Sequence, residues 1–170
     1  KHAATYIILA RDTGEGRIIL DKQGDPVVQY WPNATDRAML VRGMQEVTRI
    51  IFAGGGTEAL TTNTPRVALT SEGNKPGAVS DARLNVFLSE IERRGVVPNR
   101  LGLGTAHQMG TCRLGADPKT SVADPYGQVH GVRGLYIGDA SGFPSASGVN
   151  PMLSTMALAY RVAQHIKASS

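Results

Sequence analysis

The feature of the sequence that most constrains the fold is the stretch from Gly134 to Tyr160. It begins with a short apolar run that ends in Asp139. A loop rich in glycine and serine follows, and Asn150 and Pro151 then open a run of helix-forming residues. This order predicts a β-strand, a loop and an α-helix. The carboxyl end of such a strand and the amino end of such a helix together suit the binding of a cofactor.

Each part of this stretch also has a purely structural explanation. Asn is a favoured N-cap and Pro a favoured first helical residue, so capping alone accounts for Asn150 and Pro151. Asp139 at the end of a strand can simply close a turn. The apolar residues of the final helix predict a buried face, made of Leu153, Met156, Ala157, Tyr160 and Ile166.

Composition narrows the class of protein. With 170 residues and 41% apolar content, the chain is long enough for a globular core. The net charge is +4, but the basic residues are scattered and only Arg93 and Arg94 are adjacent, which argues against nucleic-acid binding. The single cysteine, Cys112, excludes an internal disulfide, and the four histidines lack the spacing of a zinc site, so no metal is predicted. No apolar run is long enough for a membrane span.

The first third of the chain contains three short runs of β-forming residues. They are Tyr6–Ala10, Arg17–Leu20 and Val27–Trp31, and polar turns containing glycine separate them. Such a pattern predicts an antiparallel meander.

Two amphipathic helices follow. Thr35 is the expected N-cap of the first, and the glycines at 54–56 are expected to end it. Arg66–Thr70 is a further candidate strand, and Ser80 and Gly95 are expected to bound the second helix. We find no catalytic constellation in residues 1–100.

The composition changes at residue 102, where glycine and other small residues surround His107. Glycines allow a sharp turn or a close approach of the backbone to a flat ligand. The structural alternative is a histidine that is hydrogen-bonded inside a core, and the residue alone does not separate the two.

Three motifs carry a family resemblance when they are taken in order. They are His-Gln-Met-Gly-Thr-Cys-Arg-Leu-Gly at 107–115, Val-Arg-Gly-Leu-Tyr-Ile-Gly-Asp-Ala-Ser at 132–141 and Pro-Ser-Ala-Ser-Gly-Val-Asn-Pro-Met at 144–152. Together they resemble the C-terminal part of the glucose–methanol–choline (GMC) flavoprotein oxidoreductases. The residues of these motifs are most similar to those of the long-chain fatty alcohol oxidase branch of that family.

The resemblance implies an FAD enzyme that oxidises an alcohol, with a long-chain aliphatic alcohol as the expected substrate and an aldehyde as the product. In such an enzyme His107 is the active-site base and Asn150 is its hydrogen-bonding partner across the substrate. The hydride of the alcohol passes to N5 of the flavin.

The resemblance also assigns cofactor contacts. Asp139 and Ala140 match the residues that approach the ribityl and diphosphate groups of FAD. Asn150, Pro151 and Met152 match the turn beside the pyrimidine ring of the flavin.

The fold class that follows is α/β. Residues 1–104 are expected to form an α+β substrate-binding region with antiparallel strands. Residues 105–170 are expected to carry the active-site residues and to add a strand and a helix to a Rossmann-like FAD-binding domain. The Gly-x-Gly-x-x-Gly fingerprint of that domain is absent from the sequence, and Gly14-Glu15-Gly16, which is expected in a hairpin turn, cannot stand in for it. The chain begins without Met, so we expect its partner to be an N-terminal FAD-binding part, in the same protein or a separate chain.

Several alternatives remain open at this point. An FAD dehydrogenase that passes electrons to a quinone or another acceptor has the same motifs. A non-redox use of the scaffold, in hydroxynitrile lysis, is a further possibility. The chain could also be a module that is inactive without a separate FAD-binding part. The sequence does not indicate the cellular compartment.

Overall fold

The computed structural model of the chain describes residues 3–169. In chain order, the elements are β1 (Arg17–Leu20), β2 (Pro26–Gln29), α1 (Ala34–Ala53), β3 (Glu58–Leu60), β4 (Ala68–Thr70), α2 (Asp81–Arg94) and α3 (Met152–Ser169). The chain divides into two compact units. The first unit comprises Lys1–Ala10 and Pro32–Gly104, and the second comprises Arg11–Trp31 and Thr105–Ser170.

Helix α1 of the first unit is capped two residues earlier than the sequence predicts. Asn33 is the N-cap, and its side-chain oxygen accepts the amide of Asp36 at 2.9 Å. The prediction of Thr35 as the cap is therefore wrong. Asn33 is also a strong capping residue, and its side chain already accepts the hydrogen bond of the Asp36 amide. The helix ends at Gly54, as the run of glycines predicts.

Helix α2 has the predicted limits. It follows Ser80 and ends at Gly95, whose φ of +57° lies in the left-handed region that favours glycine. The hydroxyl of Ser80 makes no capping hydrogen bond. Instead, the amide of Ser80 donates to a carboxylate oxygen of Glu72 at 3.0 Å.

Strands β3 and β4 pair antiparallel, with Ala59 opposite Leu69. Strand β4 confirms part of the predicted strand Arg66–Thr70, whereas β3 is too short to stand out in the sequence. The pair packs on the two helices around a common core, and each large apolar side chain buried there contributes about 1.5–3 kcal/mol. The buried members of that core are Phe52, Ala59, Val67, Leu69, Phe87, Leu88 and Ile91.

The predicted meander is only a hairpin. Strands β1 and β2 pair antiparallel, with Ile18 opposite Val28. The prediction of a strand at Tyr6–Ala10 is wrong, because that segment makes no strand pairing among the described residues, and Ile7 is 80% exposed. A β-strand is stable only when its backbone groups have a partner strand, and apolar composition does not supply one.

Helix α3 of the second unit forms as predicted, but the apolar face that was expected to be buried is exposed. Val162 is buried, whereas Leu153, Met156 and Tyr160 are 74%, 62% and 67% exposed. The predicted buried face is therefore wrong for the described chain, since none of its other elements covers it. No helix within residues 3–169 has the length and hydropathy required to cross a membrane.

Candidate active site

The apolar run before Asp139 does not form the predicted strand. A single antiparallel bridge pairs Tyr136 with Gln128, and the amide of Ile137 donates to the carbonyl of Gly127 at 2.7 Å. These contacts are too few for a β ladder, which requires a continuous partner along the strand. The run still delivers the chain to Asp139, where the loop begins.

Asp139 closes a tight turn at the start of that loop. One of its carboxylate oxygens, Oδ1, accepts both the amide of Ser141 at 2.8 Å and its hydroxyl at 2.5 Å. The structural explanation given for Asp139 is thus realised. The other carboxylate oxygen makes no hydrogen bond to a residue within 3–169, and the side chain is exposed. Our reading of the sequence overlooked Ser141, although an Asp-x-Ser sequence is a known turn signal.

The motif at residues 107–115, here called the His107 segment, runs alongside this turn. Three backbone hydrogen bonds join the two, each from an amide of the first to a carbonyl of the second. The donors lie at alternate residues and the acceptors at successive residues, and together the three bonds fix the alignment of two motifs that lie far apart in the sequence. The bonds run from Gly110 to Ala140 (3.2 Å), from Cys112 to Ser141 (2.9 Å) and from Leu114 to Gly142 (3.0 Å).

The ring of His107 is half-buried and makes no hydrogen bond to any residue of the described part of the chain. The other histidines of the second unit are engaged. Nε2 of His130 lies 2.9 Å from the hydroxyl of Ser121, and the ring of His165 stacks on Tyr126 with centroids 4.5 Å apart. His107 does not resemble a histidine held inside a core, and both of its ring nitrogens are available to a ligand.

The start of α3 differs from the prediction. The first helical hydrogen bond runs from the amide of Thr155 to the carbonyl of Pro151 at 2.8 Å, so Pro151 occupies the N-cap position and not the first helical position. Asn150 precedes the cap. Its side chain is exposed and has no hydrogen-bonding partner within residues 3–169. The prediction of Asn150 as the N-cap is therefore wrong, because the carbonyl that closes the first turn belongs to the next residue.

The amino end of α3 offers unpaired donors. Among the described residues, the amides of Met152, Leu153 and Ser154 have no backbone acceptor, as expected for the first turn of any helix. The helix dipole adds about half a positive charge there. Such an end suits an electron-rich or anionic ligand group, which fits the predicted contact between Asn150–Met152 and a flavin ring.

The structure thus brings together two of the three predicted motifs by direct hydrogen bonds. It places Asn150, Pro151 and Met152 in the same unit, but no hydrogen bond joins Asn150 to His107. In the part of the chain that is described, no group of three or more His, Cys, Asp or Glu side chains is arranged to hold a metal ion.

The loop after Asp139, the amino end of α3 and the ring of His107, which is unengaged among the described residues, all lie in the second unit. The chain is similar to the crystal structure of a formate oxidase, with a TM-score of 0.57 and 22% identity over 91% of this chain and 25% of that one. Residues 12–159 match the family model described as GMC oxidoreductase, and the chain belongs to this family. GMC oxidoreductases are FAD flavoproteins, so the predicted family, its cofactor and the α/β fold class are confirmed.

Two relatives illustrate the sequence similarity to enzymes of this family. The chain is 31% identical over 166 residues to a long-chain-alcohol oxidase of Arabidopsis thaliana, covering 98% of this chain and 22% of the relative. It is 41% identical over 86 residues to the 6'''-hydroxyparomomycin C oxidase of Streptomyces lividus, covering 49% of this chain and 16% of the relative. The chain therefore spans about a fifth of the length of the curated relatives that it matches.

Proposed function

We propose that this chain is the C-terminal part of an FAD-dependent enzyme that oxidises an alcohol to an aldehyde, with a long-chain aliphatic alcohol as the substrate. The observation that supports this most strongly is the backbone ladder between the His107 segment and the Asp139 turn. It holds the segment of His107, whose ring nitrogens have no hydrogen-bonding partner within residues 3–169, against the loop that begins at Asp139.

His107 acts in this proposal as the general base. Imidazole is the side chain whose protonation changes near neutral pH, so it can accept the hydroxyl proton of the alcohol at one ring nitrogen. Bound FAD supplies the acceptor for the hydride that leaves the carbinol carbon. The loss of the proton and the hydride together leaves the aldehyde.

Asn150 stabilises the oxygen of the reacting alcohol. A neutral amide can donate a hydrogen bond to that oxygen as it gains negative charge, and it adds no charge of its own. A preorganised donor of this type contributes about 3–4 kcal/mol to transition-state stabilisation. The side chain of Asn150 is exposed and has no hydrogen-bonding partner within residues 3–169, which supports this role because its amide nitrogen is available to donate.

The cofactor contacts divide between the loop and the helix end. We place the free carboxylate oxygen of Asp139 and the backbone of Ala140 at the ribityl and diphosphate groups. Asn150, Pro151 and Met152 lie at the pyrimidine ring, where the unpaired amides and the dipole of α3 favour negative charge.

The substrate class rests on relatives. The names of the two relatives given above both indicate a hydroxyl-bearing substrate, a long-chain alcohol in one and hydroxyparomomycin in the other. They support an alcohol as the substrate more strongly than they support its chain length. We assign residues 1–104 to substrate binding and residues 105–170 to the catalytic and cofactor contacts.

A partner surface is needed for this function, and α3 provides a candidate. Leu153, Met156 and Tyr160 are spaced three and four residues apart, which places them on one face of the helix, and all three are exposed. Covering each would contribute up to about 1.5–3 kcal/mol. We propose that this face packs on an N-terminal FAD-binding part, in the same protein or in a separate chain. The same exposure favours the alternative that the 170-residue piece is inactive by itself.

The activity is tested by anaerobic mixing. The flavin-loaded protein, including its FAD-binding part, is mixed with a long-chain primary alcohol. Bleaching of the oxidised flavin absorbance is expected, and an absence of bleaching with every alcohol tested contradicts the proposal. Oxygen consumption compared with dye reduction during turnover then separates an oxidase from a dehydrogenase.

The test of the partner surface is the recovery of flavin absorbance when the two parts are combined. Met156→Ser should weaken that recovery, whereas Ala168→Ser, an exposed change near the end of the same helix, should not. The proposal for this surface fails if the chain binds FAD fully without any other part.

A further inference from the structure

A second candidate binding site lies in the first unit. It is a surface pocket of about 360 Å³ at the end of α2, and three arginines, Arg93, Arg94 and Arg100, line it together with Asn63. Pockets of this size accommodate small ligands. None of these residues belongs to the second unit, which contains His107 and the residues proposed to contact the cofactor.

Two of the three guanidinium groups are held in place by one carboxylate. Glu90 accepts two hydrogen bonds from Arg93, at Nε and Nη2, and one from Nε of Arg94, all at 2.7 Å. Nη1 of Arg94 also donates to the carbonyl of Pro65 at 2.7 Å. The hydrogen bonds from Arg93 and then Arg94 lower the pKa of Glu90 to about 2, so the carboxylate remains ionised and keeps both groups positioned.

The pocket retains unused donors. A guanidinium carries five N–H groups, and Arg93 and Arg94 each use two of them within the described chain. The guanidinium of Arg100 makes no hydrogen bond or ion pair with any residue from 3 to 169. Asn63 is 7% exposed, and its amide nitrogen makes a single long bond, 3.5 Å, to the carbonyl of Arg100.

We propose that this pocket binds a phosphate group. Three cations against one carboxylate leave an excess of two positive charges, which matches a phosphate monoester dianion. Guanidinium groups recognise phosphate by paired hydrogen bonds, and pre-positioned groups lose less side-chain freedom when they bind. The phosphate belongs to a soluble phosphate ester or to a lipid headgroup, and the two sources are separable by experiment.

The first test is calorimetric titration of the full 170-residue chain with sodium phosphate, at an ionic strength held constant with sodium chloride. Saturable binding at one site is expected. Arg100→Gln should weaken it at least about tenfold, the loss expected for a charge-assisted hydrogen bond. Arg42→Gln is the matched control, because it removes the same charge from an exposed ion pair with Glu46 on α1. Its affinity should change less than about twofold.

The outcomes separate a site from diffuse charge. No saturable binding, or an equal loss in both variants, overturns the proposal. Thermal melting checks that Arg100→Gln remains folded, and Arg100→Lys is the second variant, which keeps the charge but not the planar fork. It should bind more weakly than the wild type and more tightly than Arg100→Gln.

The second test identifies the source of the phosphate. The chain is floated with phosphatidylcholine vesicles that contain or lack phosphatidic acid. Saturable phosphate binding, together with flotation that requires phosphatidic acid and is lost in Arg100→Gln, supports the proposal with a lipid headgroup. Saturable binding of free phosphate without flotation supports it with a soluble ester. Flotation that is equal in Arg100→Gln and Arg42→Gln, without saturable phosphate binding, contradicts it.

Discussion

The amide of Gly110 donates a hydrogen bond to the carbonyl of Ala140 at 3.2 Å. Gly110 has a φ of +83°, and a Cβ built on it would lie 3.3 Å from the carbonyl oxygen of Phe143. A side chain at this position would therefore be both strained and crowded. The glycine allows the His107 segment to lie against the Asp139 turn, and the geometry of the proposed site depends on this contact.

Replacement of His107 by Ala should slow reduction of the flavin by an alcohol about 100-fold or more, because the hydroxyl proton loses its acceptor. The rate is measured by anaerobic stopped-flow absorbance. His165→Ala is the matched control. It removes a histidine that stacks on Tyr126, so it should cost about 0.5–1.5 kcal/mol of stability and leave the rate unchanged. Wild-type reduction in the His107 variant would exclude the general-base role.

Replacement of Asn150 by Ala should lower turnover without a loss of stability. The side chain is exposed and makes no capping hydrogen bond within residues 3–169, so the unfolding free energy should change by less than about 0.5 kcal/mol. Turnover and thermal melting are measured on the same sample. A drop in melting temperature with intact turnover would show that Asn150 is a structural residue.

Gly127→Ala and Gly131→Ala form a matched pair for the packing of the second unit. Both glycines have a positive φ, +95° and +74°, so each substitution introduces backbone strain of about 1–3 kcal/mol. Only at Gly127 would the new Cβ lie 2.8 Å from the Ile137 carbonyl oxygen and from Val162. We therefore expect Gly127→Ala to be more destabilising by about 1–3 kcal/mol in urea unfolding. Equal urea midpoints for the two variants would contradict this expectation, because they would show that the residues around Gly127 accommodate the new Cβ without a loss of stability.

Glu90 should give the first unit an acid-sensitive stability. The pKa of Glu90 in the folded protein is about 2, below its ordinary value of 4.5, because Arg93 and Arg94 donate hydrogen bonds to the carboxylate. A lowered pKa stabilises the folded state above pH 4.5, and the contribution is lost as the pH falls from 4.5 towards 2.

The measurement is urea unfolding as a function of pH. Glu90→Gln should be less stable than the wild type at neutral pH, and the difference should narrow as the pH falls towards 2. Glu92→Gln, on the same helix, reports the effect of losing one negative charge there. A gap between Glu90→Gln and the wild type that stays constant from pH 7 to pH 2 would contradict the prediction.

The helices and their ends were largely predictable from the sequence. The glycines at 54–56 and Gly95 end α1 and α2 as expected, because a helix is closed by hydrogen bonds between near neighbours. The choice between nearby caps was not predictable. Helix α1 begins after Asn33 and not after Thr35, although both are favoured caps. Helix α3 begins after Pro151 and not after Asn150, although Asn is the favoured cap of the two.

The strands were predictable only where both partners are close in the sequence. The hairpin of β1 and β2 formed, but the apolar runs at Tyr6–Ala10 and before Asp139 did not become strands. No segment among residues 3–169 pairs with either run as a continuous strand. The exposed face of α3 was unpredictable for a similar reason. Apolar periodicity predicts that one face of a helix is buried, but it does not identify the segment that covers this face.

The sequence by itself determined the family, the order of the three motifs and the positions of most helices, since these depend on residue identity and on local hydrogen bonds. Only the tertiary structure decided which motifs meet. It joined the His107 segment to the Asp139 turn and gathered three arginines at one pocket, and it gave the ring of His107 and the amide of Asn150 no hydrogen-bonding partner among residues 3–169. Such contacts depend on the path of the whole chain, which brings together residues that no local rule relates.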